Sequence, residues 1–140
     1  MHFVDTNILI YAATPAPDEV DKQRTAQHLL DSDDLAFSVQ VLQEFYYQAT
    51  RLNRPEAITH DQALRFIESI SRFPVQDVTL EVFHTAAAIS QRFGLSYWDG
   101  AILAAARTLG CDAVYSEDLS AEQDYDGLQV INPFADVTRS

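Results

Sequence analysis

Short apolar runs separated by capped helical stretches leave this chain few folds to choose from. Phe3-Val4, Leu35-Ala36-Phe37, Ala113-Val114-Tyr115 and Leu128-Gln129-Val130-Ile131 have the length of strands, and such short apolar strands between helices imply a sheet covered on both faces. Between them lie stretches with helical spacing. One runs from Glu19 to Leu30; a second is capped by Ser38 and runs to about Leu52; a third opens on a Thr59/Gln62 capping box and runs to about Arg72. Pro74 stops that helix, and Val75 to Val78 can form another short strand. Thr79 and Gly94 then bracket Leu80 to Phe93, and Ser96 and Gly110 bracket Tyr97 to Leu109. Strands alternating with helices require right-handed crossovers, so the expected fold is α/β, a mostly parallel central sheet flanked by helices. No Pro/Gly-rich linker divides it, and residues 1–140 are expected to form a single domain.

In such sheets ligands collect beyond the carboxyl ends of the strands, where the strand order reverses. That rule sorts the acidic residues. Asp5, inside the apolar stretch Phe3 to Tyr11, closes the first strand, and a lone carboxylate there needs a cation, backbone N–H groups or a metal. Glu44 lies within two turns of the helix after the second strand, on a polar stripe with Gln40 and Gln48. The opposite, apolar stripe is Leu42, Phe45, Tyr46, Ala49 and Leu52. Asp99 is in the first turn of the helix capped by Ser96, and Asp118 follows the strand ending at Tyr115, with Glu117 as its competitor. Thr6, Asn7 and Ser116 occupy the same level. The acidic runs Asp31 to Asp34 and Glu122 to Asp126 read instead as solvated surface.

Two such carboxylates about 5 Å apart repel by roughly 3 kcal/mol at an effective dielectric near 20, and helix N-termini return only about 0.3 to 1 kcal/mol each. A divalent cation or retained protons must supply the rest. Oxygen-only ligands select a hard ion, Mg²⁺ or Mn²⁺. The net charge of −12 argues against nonspecific adhesion to nucleic acid or anionic membrane and favours a basic partner. Eight of the nine basic residues are arginine, so anion recognition rests on a few guanidinium groups; Arg51, Arg54, Lys22 and Arg24 are the candidates. The single Cys111 can close no internal disulfide and reads as core filler. His2, His28, His60 and His84 are scattered among helices and the terminus and are not expected to be ligands. No apolar run is long enough to span a membrane and the N-terminus does not read as a signal peptide, so the expected location is the cytoplasm.

Val-Asp5-Thr-Asn7, Gln-Glu44-Phe, Tyr-Trp98-Asp99 and Ser116-Glu-Asp118-Leu, in this order, resemble the PIN-domain ribonucleases, most of all the VapC-type toxins of toxin-antitoxin pairs. The resemblance implies a PIN-like three-layer sandwich and an endoribonuclease that uses Mg²⁺ or Mn²⁺ and a metal-activated water. It would hydrolyse RNA phosphodiester bonds to leave a 3′-hydroxyl and a 5′-phosphate. By motif match Asp5, Glu44, Asp99 and Asp118 take the acidic, metal-binding roles, Asp5 and Asp99 as first choice for direct ligands, while Thr6, Asn7 and Ser116 order the site. The likeness also implies a cognate antitoxin and a homodimer; Phe45, Tyr46 and Tyr47 in a row fit a groove or dimer surface. Gly100, where a larger residue is common in the family, is a departure expected to loosen the helix start.

Other readings are a non-toxin PIN nuclease of RNA processing and a catalytically idle PIN binding module. A phospho-acceptor receiver domain would need a late lysine, and the only lysine is Lys22. A haloacid-dehalogenase-type phosphatase would need an aspartate where Asn7 stands, as well as that lysine.

Overall fold

The computed structural model describes residues 1–15, 17–119 and 123–135. Its elements in chain order are β1 (His2–Val4), α1 (Thr6–Ala13), α2 (Val20–Leu29), β2 (Leu35–Ser38), α3 (Val39–Thr50), α4 (His60–Ser69), β3 (Val75–Gln76), α5 (Leu80–Phe93), α6 (Tyr97–Thr108), β4 (Ala113–Tyr115), β5 (Asp124–Tyr125) and β6 (Leu128–Ile131). A single turn of 3-10 helix, Pro17–Glu19, leads into α2. The sheet order is β3-β2-β1-β4-β6-β5, parallel throughout except for the β5–β6 hairpin.

β1 therefore sits mid-sheet. The chain first builds outward on one side, to β2 and β3, then crosses to β4 and β6 on the other. The reversal falls at the carboxyl end of β1, where the crevice of an open α/β sheet lies. β1, β2 and β4 are buried on two faces: Phe3, Val4, Ala36, Phe37 and Val114 are fully covered, as their continuous apolar runs require.

Four helix caps are those the sequence predicts. Ser38 accepts a hydrogen bond from Val41 N–H, Thr59 and Gln62 form a reciprocal box, Thr79 caps α5 and Ser96 caps α6. Gly94 ends α5 in the left-handed conformation, φ 66°, which a side chain would resist. Several expectations need correction. α3 stops at Thr50, so Leu52 is 99% exposed rather than part of the apolar stripe; Val41, Phe45 and Ala49 are its buried face, while Tyr46 and Tyr47 point outward. α4 ends at Ser69, a turn before Pro74, and β3 is only two residues long. Within the acidic run read as surface, Asp124–Tyr125 forms an edge strand and buries Tyr125, while Glu122 lies outside the described residues.

α6 carries the small residues Gly100, Ala101, Ala104 and Ala105, and packs closely on α5 through Val82 and Ala86. A Cβ on Gly100 would stand 2.7 Å from the Ala86 carbonyl oxygen. Gly100 thus does not loosen the helix start; it allows α6 to seat against α5, with Asp99 directly beside the contact. Cys111 is buried in the core, and burial pushes its thiol up to about 11. No helix among the described residues is long and apolar enough to cross a membrane.

Candidate metal-binding acidic site

The register of the two central strands builds the centre of the site. Val4 pairs with Tyr115, and Asp5 N–H donates to the Tyr115 carbonyl at 3.0 Å, so the next residues of the two strands, Asp5 and Ser116, lie side by side. Asp5 is also the N-cap of α1. One carboxylate oxygen, Oδ1, accepts Thr6 N–H at 2.7 Å, and the other, Oδ2, accepts the Ser116 hydroxyl at 2.8 Å. Ser116 is fully buried and its Oγ in turn accepts the N–H groups of Asp118 and Leu119, each at 3.2 Å. One hydroxyl therefore ties the loop carrying Asp118 to Asp5.

The residues following Asp5 gather the other acids. Thr6 Oγ1 donates to Glu44 Oε2 at 2.9 Å, and Gln40 Nε2 donates to the other Glu44 oxygen at 2.9 Å. Asn7 Nδ2 donates to Asp118 Oδ2 at 3.0 Å, while its Oδ1 accepts Glu117 N–H at 3.3 Å. Asp5, Thr6, Asn7, Glu44, Ser116 and Asp118, proposed from sequence as one group, are thus joined by hydrogen bonds. Asp99 stands apart. Its N–H is capped by Ser96, and its link to the cluster runs through Gln40, whose Nε2 also reaches the carbonyl of neighbouring Trp98 at 3.4 Å.

The Glu117–Asp118 ambiguity has a structural counterpart. Glu117 accepts the Tyr11 hydroxyl at 2.7 Å and Lys22 Nζ at 2.6 Å, so its charge is taken up by the only lysine, whereas Asp118 is held by Asn7 and is exposed. Burial, then the hydrogen bond to Glu117, raises the Tyr11 phenol well above its ordinary range. Sequence reasoning missed this contact, because nothing local signals a pairing of residues 95 positions apart. It also missed Gln40 as a bridge, although the i, i+4 spacing of Gln40 and Glu44 was visible.

Burial raises the Asp5 carboxyl from 3.8 to about 6 against the pull of its two hydrogen bonds, with the Asp118 and Glu44 charges adding to the rise. The histidines take no part in these contacts; His2 bonds the Tyr115 hydroxyl and His60 the Tyr46 hydroxyl. Among the described residues no three His, Cys, Asp or Glu side chains could by themselves hold a metal ion. The donor set nonetheless fits a hard divalent ion. Mg²⁺ binds through one or two carboxylates and completes its shell with water and substrate phosphate, and a buried carboxylate with a raised pKa beside two others gains from a cation.

Residues 2–123 match the family model described as PIN domain. No curated protein matches the chain by sequence. Among solved structures, a toxin-antitoxin complex from Klebsiella pneumoniae aligns with a TM-score of 0.68 at 21% identity, covering 95% of this chain and 98% of that one. The sarcin-ricin-loop-cleaving toxin VapC20 of Mycobacterium tuberculosis aligns at 0.65 and 26% identity, over 84% and 90%. DNA-bound VapBC of Salmonella typhimurium aligns at 0.63 and 21%, over 94% and 97%. The Klebsiella and Salmonella likenesses establish the fold.

Proposed function

This chain belongs to the PIN-domain family, and on that premise we propose that it is a divalent-metal-dependent endoribonuclease, the toxin component of a VapBC-like toxin-antitoxin pair. The observation that carries the reading is the linked acidic group at the sheet's switch point. Asp5 is buried at the centre, with Glu44 tied to it through Thr6 and Asp118 through Ser116. Residues 1–140 are taken as one PIN domain acting in the cytoplasm.

In this reading Asp5 and Asp99 would hold Mg²⁺ or Mn²⁺, and Glu44 and Asp118 would bind it through water or position the attacking water. When bound, the ion offsets charge on the nonbridging phosphate oxygens and makes water a better nucleophile. The protein's own part is positioning. Thr6 and Gln40 fix both oxygens of Glu44, and Asn7 fixes Asp118, so that the two carboxylates orient the attacking water without rotamer freedom to lose at the moment of reaction. Water adds to phosphorus, the bond to the 3′ oxygen breaks, and the products carry a 3′-hydroxyl and a 5′-phosphate. The proposed partners are substrate RNA, a cognate antitoxin and a second copy of the chain; outward Tyr47 and Trp98, 64% and 63% exposed, supply apolar surface for protein contact.

The test is cleavage of total RNA by the purified chain with Mn²⁺, with EDTA, and by Asp99→Asn. Cutting that needs metal and disappears in the variant supports the proposal. Cutting that persists in EDTA or in Asp99→Asn refutes it, as does the absence of cutting by chain shown to be free of antitoxin.

A further inference from the structure

The cavity lined by Glu44 and Asp118 has a volume of about 500 Å³ and extends past Gln48 to Arg54. Glu19 and Glu117 also line it, so among the described residues Arg54 is the one cation on a wall whose other charged groups are all acidic. The two basic side chains near this space are used differently. Lys22 is committed, with Nζ 2.6 Å from Glu117 and lying over the Tyr11 and Phe134 rings. Arg54 is not. Among the described residues its guanidinium has no hydrogen bond or ion pair, and Nε is buried with no partner, the only buried side-chain nitrogen or oxygen atom in that condition.

Nε faces inward, and a guanidinium that shares a cavity with four carboxylates and pairs with none of them leaves the end of its fork to an anion from outside. Its planar fork suits phosphate oxygens. Phosphates recur along an RNA strand, so a strand with one phosphate at the acids brings the next into the same cavity. We propose that Arg54 is the receptor for a backbone phosphate of single-stranded RNA flanking the bond to be cut. The proposal rests on the ribonuclease reading above and adds to it the residue that holds the strand against a net charge of −12.

Binding, read apart from cleavage, tests it. A fluorescent single-stranded RNA of about 12 nucleotides is titrated in EDTA with the wild type, Arg54→Gln and Arg54→Lys, at several salt concentrations. Arg54→Gln is expected to weaken binding about tenfold and to reduce the salt slope by about one, and Arg54→Lys to keep the slope while binding more weakly than wild type. Oligonucleotides with single methylphosphonate replacements should show one sensitive position in the wild type and none in Arg54→Gln. Unchanged thermal midpoints guard against a folding defect. Equal binding by wild type and Arg54→Gln, or no binding by the wild type, overturns the proposal even if the chain cuts RNA, and leaves a protein acceptor for Arg54. An Arg54-dependent affinity in a chain that never cuts overturns the ribonuclease reading and, with it, the place beside a scissile bond, leaving Arg54 as the phosphate receptor of an RNA-binding chain.

Discussion

Asp5→Asn should make the metal-free protein more stable at neutral pH, and the structure sets the size of the gain. The folded-state pKa of Asp5 is about 6 against 3.8 in the unfolded chain. Between those values the folded state binds the extra proton, so stability is highest in acid and falls as pH rises through 6. The gap corresponds to about 3 kcal/mol once the carboxylate is fully ionised. Asparagine has the shape of the neutral acid and the same handicap, one acceptor facing two donors, Thr6 N–H and the Ser116 hydroxyl. Wild type and variant should therefore melt together near pH 4 and diverge above it. By pH 8 the variant should lead by about 3 kcal/mol, or roughly 6 to 12 °C in a domain of this size. Calorimetry in EDTA from pH 4 to 8 measures it. Added Mn²⁺ should then raise the wild type by about 2.7 kcal/mol at a hundred times its Kd and leave the variant nearly unmoved. A variant that melts below wild type at pH 8, or the same pH slope in both, would refute the electrostatic account.

Ser116→Ala should cost on the order of 2 kcal/mol, because it removes the acceptor of two N–H groups and the donor to Asp5; chemical denaturation reads it. The same change removes a bond that lowers the Asp5 pKa, so the fall in stability with rising pH should extend to higher pH. Gly100→Ala should lower the melting temperature despite a gain of about 1 kcal/mol in helix propensity, since the new methyl meets a backbone oxygen at 2.7 Å; an unchanged melt would mean that α5 and α6 separate easily. Glu117→Gln should leave cleavage within a few-fold and Asp118→Asn should abolish it, assayed on one RNA. The reverse order would transfer the fourth acidic role to Glu117.

Most of the fold was legible because its signals are local. A strand buried on both faces must be continuously apolar, and Ser38, Thr59, Thr79 and Ser96 each announce a helix start through a hydrogen bond to the following turn. What failed depended on tertiary context. Leu52 fits the α3 stripe by spacing, but Arg51 already has extended backbone and carries the chain out of the helix. Asp124–Tyr125 looks like acidic surface because an edge strand needs only one buried face, and Tyr125 alone supplies it.

The arrangement of the candidate site was legible for a different reason, which also limits what could be read. A parallel sheet brings the residues just past its central strands together whatever their distance in sequence, so Asp5 and Ser116, 111 positions apart, were predictable neighbours once β1 and β4 were paired. Side chains reaching in from helices obey no such rule. Lys22 meets Glu117 only because α2 packs beside α1, and Gln40 touches the Trp98 carbonyl only because α3 approaches the start of α6. These unforeseen contacts sort the acids chemically. Lysine neutralises Glu117, amide and hydroxyl donors hold Glu44 and Asp118 while leaving their charge uncompensated, and Asp5 is buried where ionisation is disfavoured. A cluster kept together by neutral donors is under electrostatic strain, and a cation would relieve that strain better than the neutral donors that hold it.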